Sequence, residues 1–127
     1  MTYEVQFSPD GRELQVVVRG PAEVAVFKEY MGLLDDDPRI QTCRAALIDI
    51  REVRIAGLKT DELQDVARFR REHQPPVERV ALLVDEDLAF GLARQFEAMT
   101  EASEGPERRV FRNESKAWEW LRAPRSV

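Results

Sequence analysis

Few side chains of this chain could carry out catalysis. It has one histidine, His73, and one cysteine, Cys43, so it cannot supply the converging Cys and His ligands of a structural zinc site. A triad based on His73 is disfavoured, because the residue precedes Pro75 and Pro76 at a predicted helix end and no Gly-x-Ser-x-Gly motif is present. Cys43 precedes an apolar segment, which favours a buried, inert thiol. We predict no catalytic residue, no metal and no cofactor.

Acidic side chains occur in two runs, at residues 35–37 and 85–87. Neither run has the spacing of a calcium loop, and we expect solvated loops and helix ends there. Asp49 and Asp85 follow apolar segments that are predicted parallel strands, and open α/β sheets bind ligands at that edge. Hydrogen bonding to local backbone is the interpretation we favour for both. A metal-dependent hydrolase built on Asp49 or Asp85 is the remote alternative.

A glycine turn at residues 56–60 leads into the second predicted helix. Free backbone N–H groups at a helix start, together with Lys59, could attract an anion or a phosphoprotein. We favour a plain loop around Gly57 with Thr60 as the helix cap. The glycines fit no dinucleotide or phosphate-loop motif. Three arginines of the same helix are predicted to lie on a solvated face: Arg68, Arg70 and Arg71.

The first predicted helix carries more apolar residues than one sheet face requires. Its core stripe consists of Val24, Phe27, Met31 and Leu34. A second stripe beside it consists of Val26, Tyr30 and Leu33. In the last helix, Trp120 lies at the edge of the stripe that contains Ala117. These residues either extend the core or contact a partner.

Composition limits the class of protein. The chain has 127 residues, a net charge of -5 and 43% hydrophobic residues, which fits one globular domain spanning 1–127. No apolar run approaches the ~20 residues of a membrane helix, and the start of the chain lacks a secretory signal. The acidic balance, with a pI near 5.0, disfavours nucleic-acid binding. We therefore expect a protein of a bacterial cytoplasm.

Hydrophobic periodicity predicts the element order β-β-α-β-α-β-α-β-α, which is an α/β fold with a mixed, largely parallel sheet flanked by helices. The opening hairpin turns at residues 8–11, and Gly20-Pro21 is expected to start the first helix with proline in its first position. Asn113 caps the last helix. Residues 123–127 are expected to be a frayed tail. The later strands are predicted at residues 45–48, 80–84 and 109–111.

The same pattern resembles a known family. The segments that carry the resemblance are Leu47-Ile48-Asp49, Ala56-Gly57-Leu58, residues 80–84, residues 87–97, Val110-Phe111 and residues 117–121. Together they resemble the SpoIIAA-like branch of the STAS superfamily, which is related to anti-sigma-factor antagonists. The resemblance implies a STAS-type single domain that acts in protein–protein regulation or, through the related CRAL-TRIO fold, binds an apolar ligand. Antagonists carry a phosphorylatable serine just before the Gly-Leu, whereas this chain has Arg54-Ile55-Ala56 there, so we expect no such phospho-switch.

Two functions follow as hypotheses. The first is a non-enzymatic module that binds a protein partner or forms a homodimer. Its predicted surface comprises Val26, Tyr30, Leu33, Gly57, Lys59, Thr60 and Trp120. The alternative is a carrier or sensor of a fatty acid or other small apolar ligand, with Phe90, Phe96 and Met99 lining a cavity and Arg94 meeting an acidic group.

Overall fold

The computed structural model of this chain describes residues 1–85, 87–100 and 105–124. It contains five strands, four α-helices and one short 3-10 helix within that part of the chain. The strands are β1 (Thr2–Phe7), β2 (Glu13–Pro21), β3 (Ala45–Arg54), β4 (Arg79–Leu83) and β5 (Glu107–Phe111). The helices are α1 (Val24–Asp36), α2 (Thr60–Glu72), α3 (Asp87–Thr100) and α4 (Glu114–Arg122), with the 3-10 helix at Pro38–Thr42.

The strands form one mixed sheet in the order β1-β2-β3-β4-β5. β1 and β2 are an antiparallel hairpin, and the other neighbouring strands are parallel. At the hairpin turn the Gly11 N–H donates to the Ser8 carbonyl over 2.9 Å, and Gly11 adopts a positive φ of 72°. The predicted order of strands and helices is confirmed.

Helices cover the two faces of the sheet unequally. Side chains alternate along each strand, so Ala46 and Ile48 point to one face and Ala45 and Leu47 to the other. Helices α1, α2 and α3 pack on the first, which we call the α1–α3 face. Helix α4 packs on the second, the α4 face. Because β3 is covered on both sides, its central residues form a continuous apolar run.

One predicted helix start and one predicted helix cap are wrong. Pro21 is the last residue of β2 instead of the first of a helix, because it still pairs with Arg54 of β3, and α1 begins at Val24. Thr60 is the first residue of α2, and Lys59 is the N-cap. There the Glu62 carboxylate accepts the Lys59 backbone N–H over 3.0 Å, which takes over the capping predicted for Thr60.

The end of the chain agrees with its local sequence signals. The Asn113 side chain accepts the Lys116 N–H over 3.0 Å, so the predicted cap of α4 is confirmed. Helix α4 ends at Arg122, and Ala123 and Pro124 are exposed. The rest of the predicted tail, residues 125–127, lies outside the described residues, as does Glu86 in the second acidic run.

Candidate functional site

An apolar cavity of about 70 Å³ lies between helices α1–α3 and the sheet. Every residue that lines it is aliphatic or aromatic. The side chains that close it from the helices include Phe27, Tyr30, Leu63, Leu92, Ala93 and Phe96. Ile50 and Leu82 form part of its floor on the sheet. The cavity offers no group for acid–base or nucleophilic chemistry, and its chemical capacity is to enclose an apolar group.

A second space of about 40 Å³ adjoins the apolar cavity and differs from it in charge. The two share Tyr30, Met31 and Phe96 among their lining residues. The second space is lined in addition by Arg70 of α2 and Arg108 of β5, and we call it the basic pocket. The apolar cavity therefore adjoins a space that arginine residues help to line.

Arg70 is buried, with 5% of its surface exposed. It follows the buried residues Leu63 and Val66 by seven and four positions, which keeps it on the inner side of α2. Its Nη1 donates a 3.3 Å hydrogen bond to the His73 carbonyl. Burial lowers the pKa of Arg70, while Tyr30 and Asp35 act in the opposite direction. The prediction of a solvated face was wrong for Arg70, because the apolar stripe of α2 runs on to that position.

Arg108 enters the basic pocket from β5. It lies on the α1–α3 face two residues before Val110, and it is half-buried. It donates one hydrogen bond to the side chain of Gln74 and another to the Pro106 carbonyl over 3.5 Å. Burial lowers the pKa of Arg108 to about 10, and the like charge of Arg70 adds to that effect. The two arginines therefore repel each other inside one small space.

Asp35, at the end of α1, acts on this pair. Burial raises the pKa of Asp35, and the charges of Arg70 and His73 lower it. Its Oδ1 is buried and has no hydrogen-bond partner among the described residues. The Asp35 carboxylate and the Arg70 guanidinium therefore each favour the charged form of the other.

The predicted partner surface is only partly on the surface. Tyr30 was wrongly assigned to it: 3% of Tyr30 is exposed, because its ring packs against Tyr3 of β1 at 5.7 Å. Leu33 is 53% exposed, and Val26 is half-buried. Trp120 is half-buried as well, and its partners are the guanidinium groups of Arg79 and Arg109 and the ring of Phe111.

The loop before α2 is exposed at Gly57, Lys59 and Thr60. Gly57 adopts a positive φ of 95°, and the Leu58 N–H closes a turn on the Ile55 carbonyl over 2.9 Å. The first turn of α2 carries two carboxylates, Asp61 and Glu62. These occupy the electropositive end of the helix, so the geometry does not favour an anion there.

Of the four residues predicted for a ligand pocket, Phe96 lines both cavities. Phe90 packs at the edge of the core and contacts the guanidinium groups of Arg94 and Arg112 at 5.9 Å and 5.2 Å. Arg94 is exposed and lines neither cavity. Met99 faces α2 instead, beside a shallow groove. The basic residues that line the adjoining pocket are Arg70, Arg108 and Arg109; the apolar spacing on α2 could have indicated the first, and no local signal indicated the other two.

The two strand-end aspartates both act on Arg51, whose pKa their charges raise. Asp49 is 6% exposed, and its carboxylate accepts hydrogen bonds from the Arg51 backbone and guanidinium at 2.8 to 3.1 Å. Asp85 is exposed, and its carbonyl accepts from Arg112. In the part of the chain that the structure describes, no group of three His, Cys, Asp or Glu side chains could hold a metal ion. Cys43 is buried, which raises the pKa of its thiol.

These features define a class: a mixed α/β domain with a mostly parallel five-stranded sheet, an apolar cavity under three helices and a fourth helix on the opposite face. The chain belongs to the SpoIIAA-like family, whose model matches residues 14–122. The predicted family and fold are thereby confirmed. Domains of this STAS-type family are in general non-enzymatic and take part in protein interactions.

A solved structure shares the fold. The chain is similar to an uncharacterized protein from the DUF3478 family with a SpoIIAA-like fold, from Shewanella loihica. The two have 22% sequence identity and a TM-score of 0.60, and the match covers 94% of this chain and 92% of the other. None of the curated proteins matches. Among the described residues, no helix has both the length and the hydropathy needed to cross a membrane.

Proposed function

We propose that this chain is a non-enzymatic module of a bacterial cytoplasm that binds a small apolar molecule in the apolar cavity. The observation that carries this proposal is the cavity itself, which opens between helices α1–α3 and the sheet and has an almost entirely apolar lining. Cavities of this kind stay dry and bind apolar molecules of matching size. Sites for small ligands are usually concave and mostly apolar.

The size of the cavity limits the ligand. Its 70 Å³ are about half of the ~150 Å³ that hold benzene in an engineered apolar cavity. A ligand with a longer alkyl chain requires α3 to move away from the sheet. This helix is the element best suited to move, because its large residues Phe90, Leu92 and Phe96 are only partly buried. The ligand expected to enter first is a slender, unbranched chain.

Filling the cavity tests the proposal. Ala93 lines it and is 5% exposed, so Ala93→Phe places a ring in the space that a ligand would occupy. Ala98 is exposed on the same helix, and Ala98→Phe is the matched control. We expect 1-octanol to raise the Tm of the wild type and of Ala98→Phe, and to leave that of Ala93→Phe unchanged, as measured by differential scanning fluorimetry. Equal shifts in all three proteins would place the binding of octanol outside this cavity.

Native mass spectrometry of gently purified protein is an independent test. A few hundred daltons of added mass that disappear in Ala93→Phe would support binding in the apolar cavity. Wild-type protein without added mass, together with no response to 1-octanol, would contradict the proposal.

A second candidate function is association with a protein partner or with a second copy. The observation that favours it is Leu33, the exposed large hydrophobic residue of the described chain, which lies on α1 with Val26 on the same side. In this proposal the exposed loop residues Gly57, Lys59 and Thr60 form the rest of the surface.

The subunit count tests this candidate. If a homodimer forms through α1, Leu33→Ser should convert it to a monomer without lowering the Tm, as measured by light scattering after size-exclusion chromatography. Asp36→Ser, an exposed change on the same helix, should leave the dimer intact. A dimer that persists in Leu33→Ser would exclude α1 as the surface of self-association.

A further inference from the structure

We propose that the ligand of the apolar cavity is an unbranched chain that ends in an acidic group, a carboxylate or a phosphate, and that Arg70 and Arg108 bind this group in the basic pocket. This inference rests on the proposed function, since it names the chemical class of the molecule that enters the cavity.

The first argument is the state of the two guanidinium groups. Arg70 is 5% exposed, Arg108 is half-buried, and both line one space of about 40 Å³. Among the described residues, Arg70 donates one hydrogen bond, at 3.3 Å from Nη1 to the His73 carbonyl. A buried charge is destabilising unless it is paired. An acidic ligand would supply that pair.

The second argument is the charge around the pocket. Asp35 is the carboxylate that stabilises the charged form of Arg70, while Arg108 is exposed to the like charge of Arg70. Glu97 lines the pocket too. A singly or doubly charged anion between the two guanidinium groups would remove their repulsion.

The third argument is the placement of the pocket. Tyr30, Met31, Leu82, Ala93 and Phe96 line both spaces, so a molecule with its chain in the apolar cavity has its end at the arginines. Guanidinium groups are planar forks that bind carboxylate and phosphate oxygens in pairs. The arrangement is therefore apolar along its length and specific at one end, which is the usual design of a site for an amphipathic ligand.

The experiment compares three ligands that share one chain: octanoate, octyl phosphate and 1-octanol. Isothermal titration calorimetry measures their affinities for the wild type, Arg70→Met, Arg108→Met and the control Arg68→Met, whose residue is exposed on α2. We expect the wild type and Arg68→Met to bind at least one of the two acids about tenfold to a hundredfold more tightly than 1-octanol, the range of charge-assisted hydrogen bonds. Arg70→Met and Arg108→Met should lose this preference and keep their affinity for 1-octanol. The acid that binds more tightly identifies the headgroup.

The outcomes separate the two proposals. If none of the three ligands binds, the proposed function fails. Two results would contradict the acidic group while leaving the proposal of an apolar ligand intact. In one, 1-octanol binds as tightly as both acids; in the other, the arginine variants keep the preference for an acid. If inorganic phosphate binds with the affinity of octyl phosphate, the octyl group contributes nothing to the affinity and the inference is overturned. Arg108 is only half-buried, so Arg108→Met decides the question should Arg70→Met fail to fold.

Discussion

Two buried arginines lie on opposite sides of the same sheet and differ in the hydrogen bonds that their Nη1 atoms donate, while Nε of Arg79 is buried without a partner among the described residues. Arg79, at the start of β4, packs under α4 and donates from Nη1 to the carbonyls of Trp120 and Ala123 over 2.7 Å and 3.0 Å. It closes the end of that helix, where carbonyl groups have no partner inside the helix. Arg70, on the α1–α3 face, has one longer bond to a carbonyl. The fold explains the hydrogen bonds of the first, and the second is the arginine for which we propose an acidic ligand.

The packing also differs between the two faces of the sheet on which these arginines lie. The α4 face combines the small residues Ala45, Ala81 and Ala117 with the fully buried Leu47 and Leu83. The apolar cavity lies on the α1–α3 face, under side chains of α3 that are partly buried. The α4 face is therefore closely packed, whereas the α1–α3 face contains a cavity in which a ligand could bind.

Truncation of an apolar residue should show the largest difference between the faces. Leu47→Ala on the α4 face removes a fully buried side chain, and we expect a loss of about 2–5 kcal/mol in the free energy of unfolding. Leu92→Ala on the cavity side removes a partly buried one, and we expect a loss of about 1 kcal/mol. Urea unfolding of both variants measures the difference. Equal losses would show that the two faces are packed alike.

Replacement of the two arginines should give a smaller difference in the free energy of unfolding, with a loss for one variant and no loss or a gain for the other. Arg79→Met leaves the carbonyls of Trp120 and Ala123 without their donor, which should cost about 1–3 kcal/mol. Arg70→Met removes a buried, poorly paired charge, and the ligand-free variant should be as stable as the wild type or more stable. Urea unfolding without ligand provides the measurement. A large loss in Arg70→Met would assign this residue a structural role like that of Arg79.

The smallest expected effect concerns Asp35 and depends on pH. Because burial raises the pKa of Asp35 above its usual 3.8, the native state binds this proton more tightly than the unfolded chain. The stability of the wild type relative to Asp35→Asn therefore falls as the pH rises from 3.8 through the raised pKa. Urea unfolding at about pH 3.5 and about pH 7 should show similar stabilities at the lower value and a more stable variant at the higher.

Asp36→Asn, an exposed change of the same charge, is the matched control for that series. If the two asparagine variants respond alike to pH, the effect belongs to the net charge of the chain and not to the surroundings of Asp35.

Much of the fold could be predicted because its signals are local. The alternation of Leu14, Val16 and Val18 gives a strand whose inner residues are almost fully buried, and Asn113 caps α4 as its side chain predicts. The start of α1 could not be predicted in this way. Pro21 fits the first turn of a helix equally well, and pairing with β3 decided its conformation.

The candidate site could be predicted only in part. Phe96 was found because it continues the apolar stripe of α3. Tyr30 was assigned to the wrong environment because the hairpin strand β1 widens the sheet and brings Tyr3 against it. Arg94 was chosen for its position on α3 near the aromatic residues, but it is exposed, and the basic groups come from α2 and β5.

By itself the sequence determined the order of the elements, the inner side of each, and the small set of side chains with any capacity for chemistry. Only the tertiary structure decided that Arg70 and Arg108 meet in one pocket at the end of an apolar cavity. The physical reason is that periodicity and capping depend on neighbours within about one helical turn or one strand pair. The meeting of two charges from α2 and β5 depends instead on how the crossovers place whole elements on one face of the sheet.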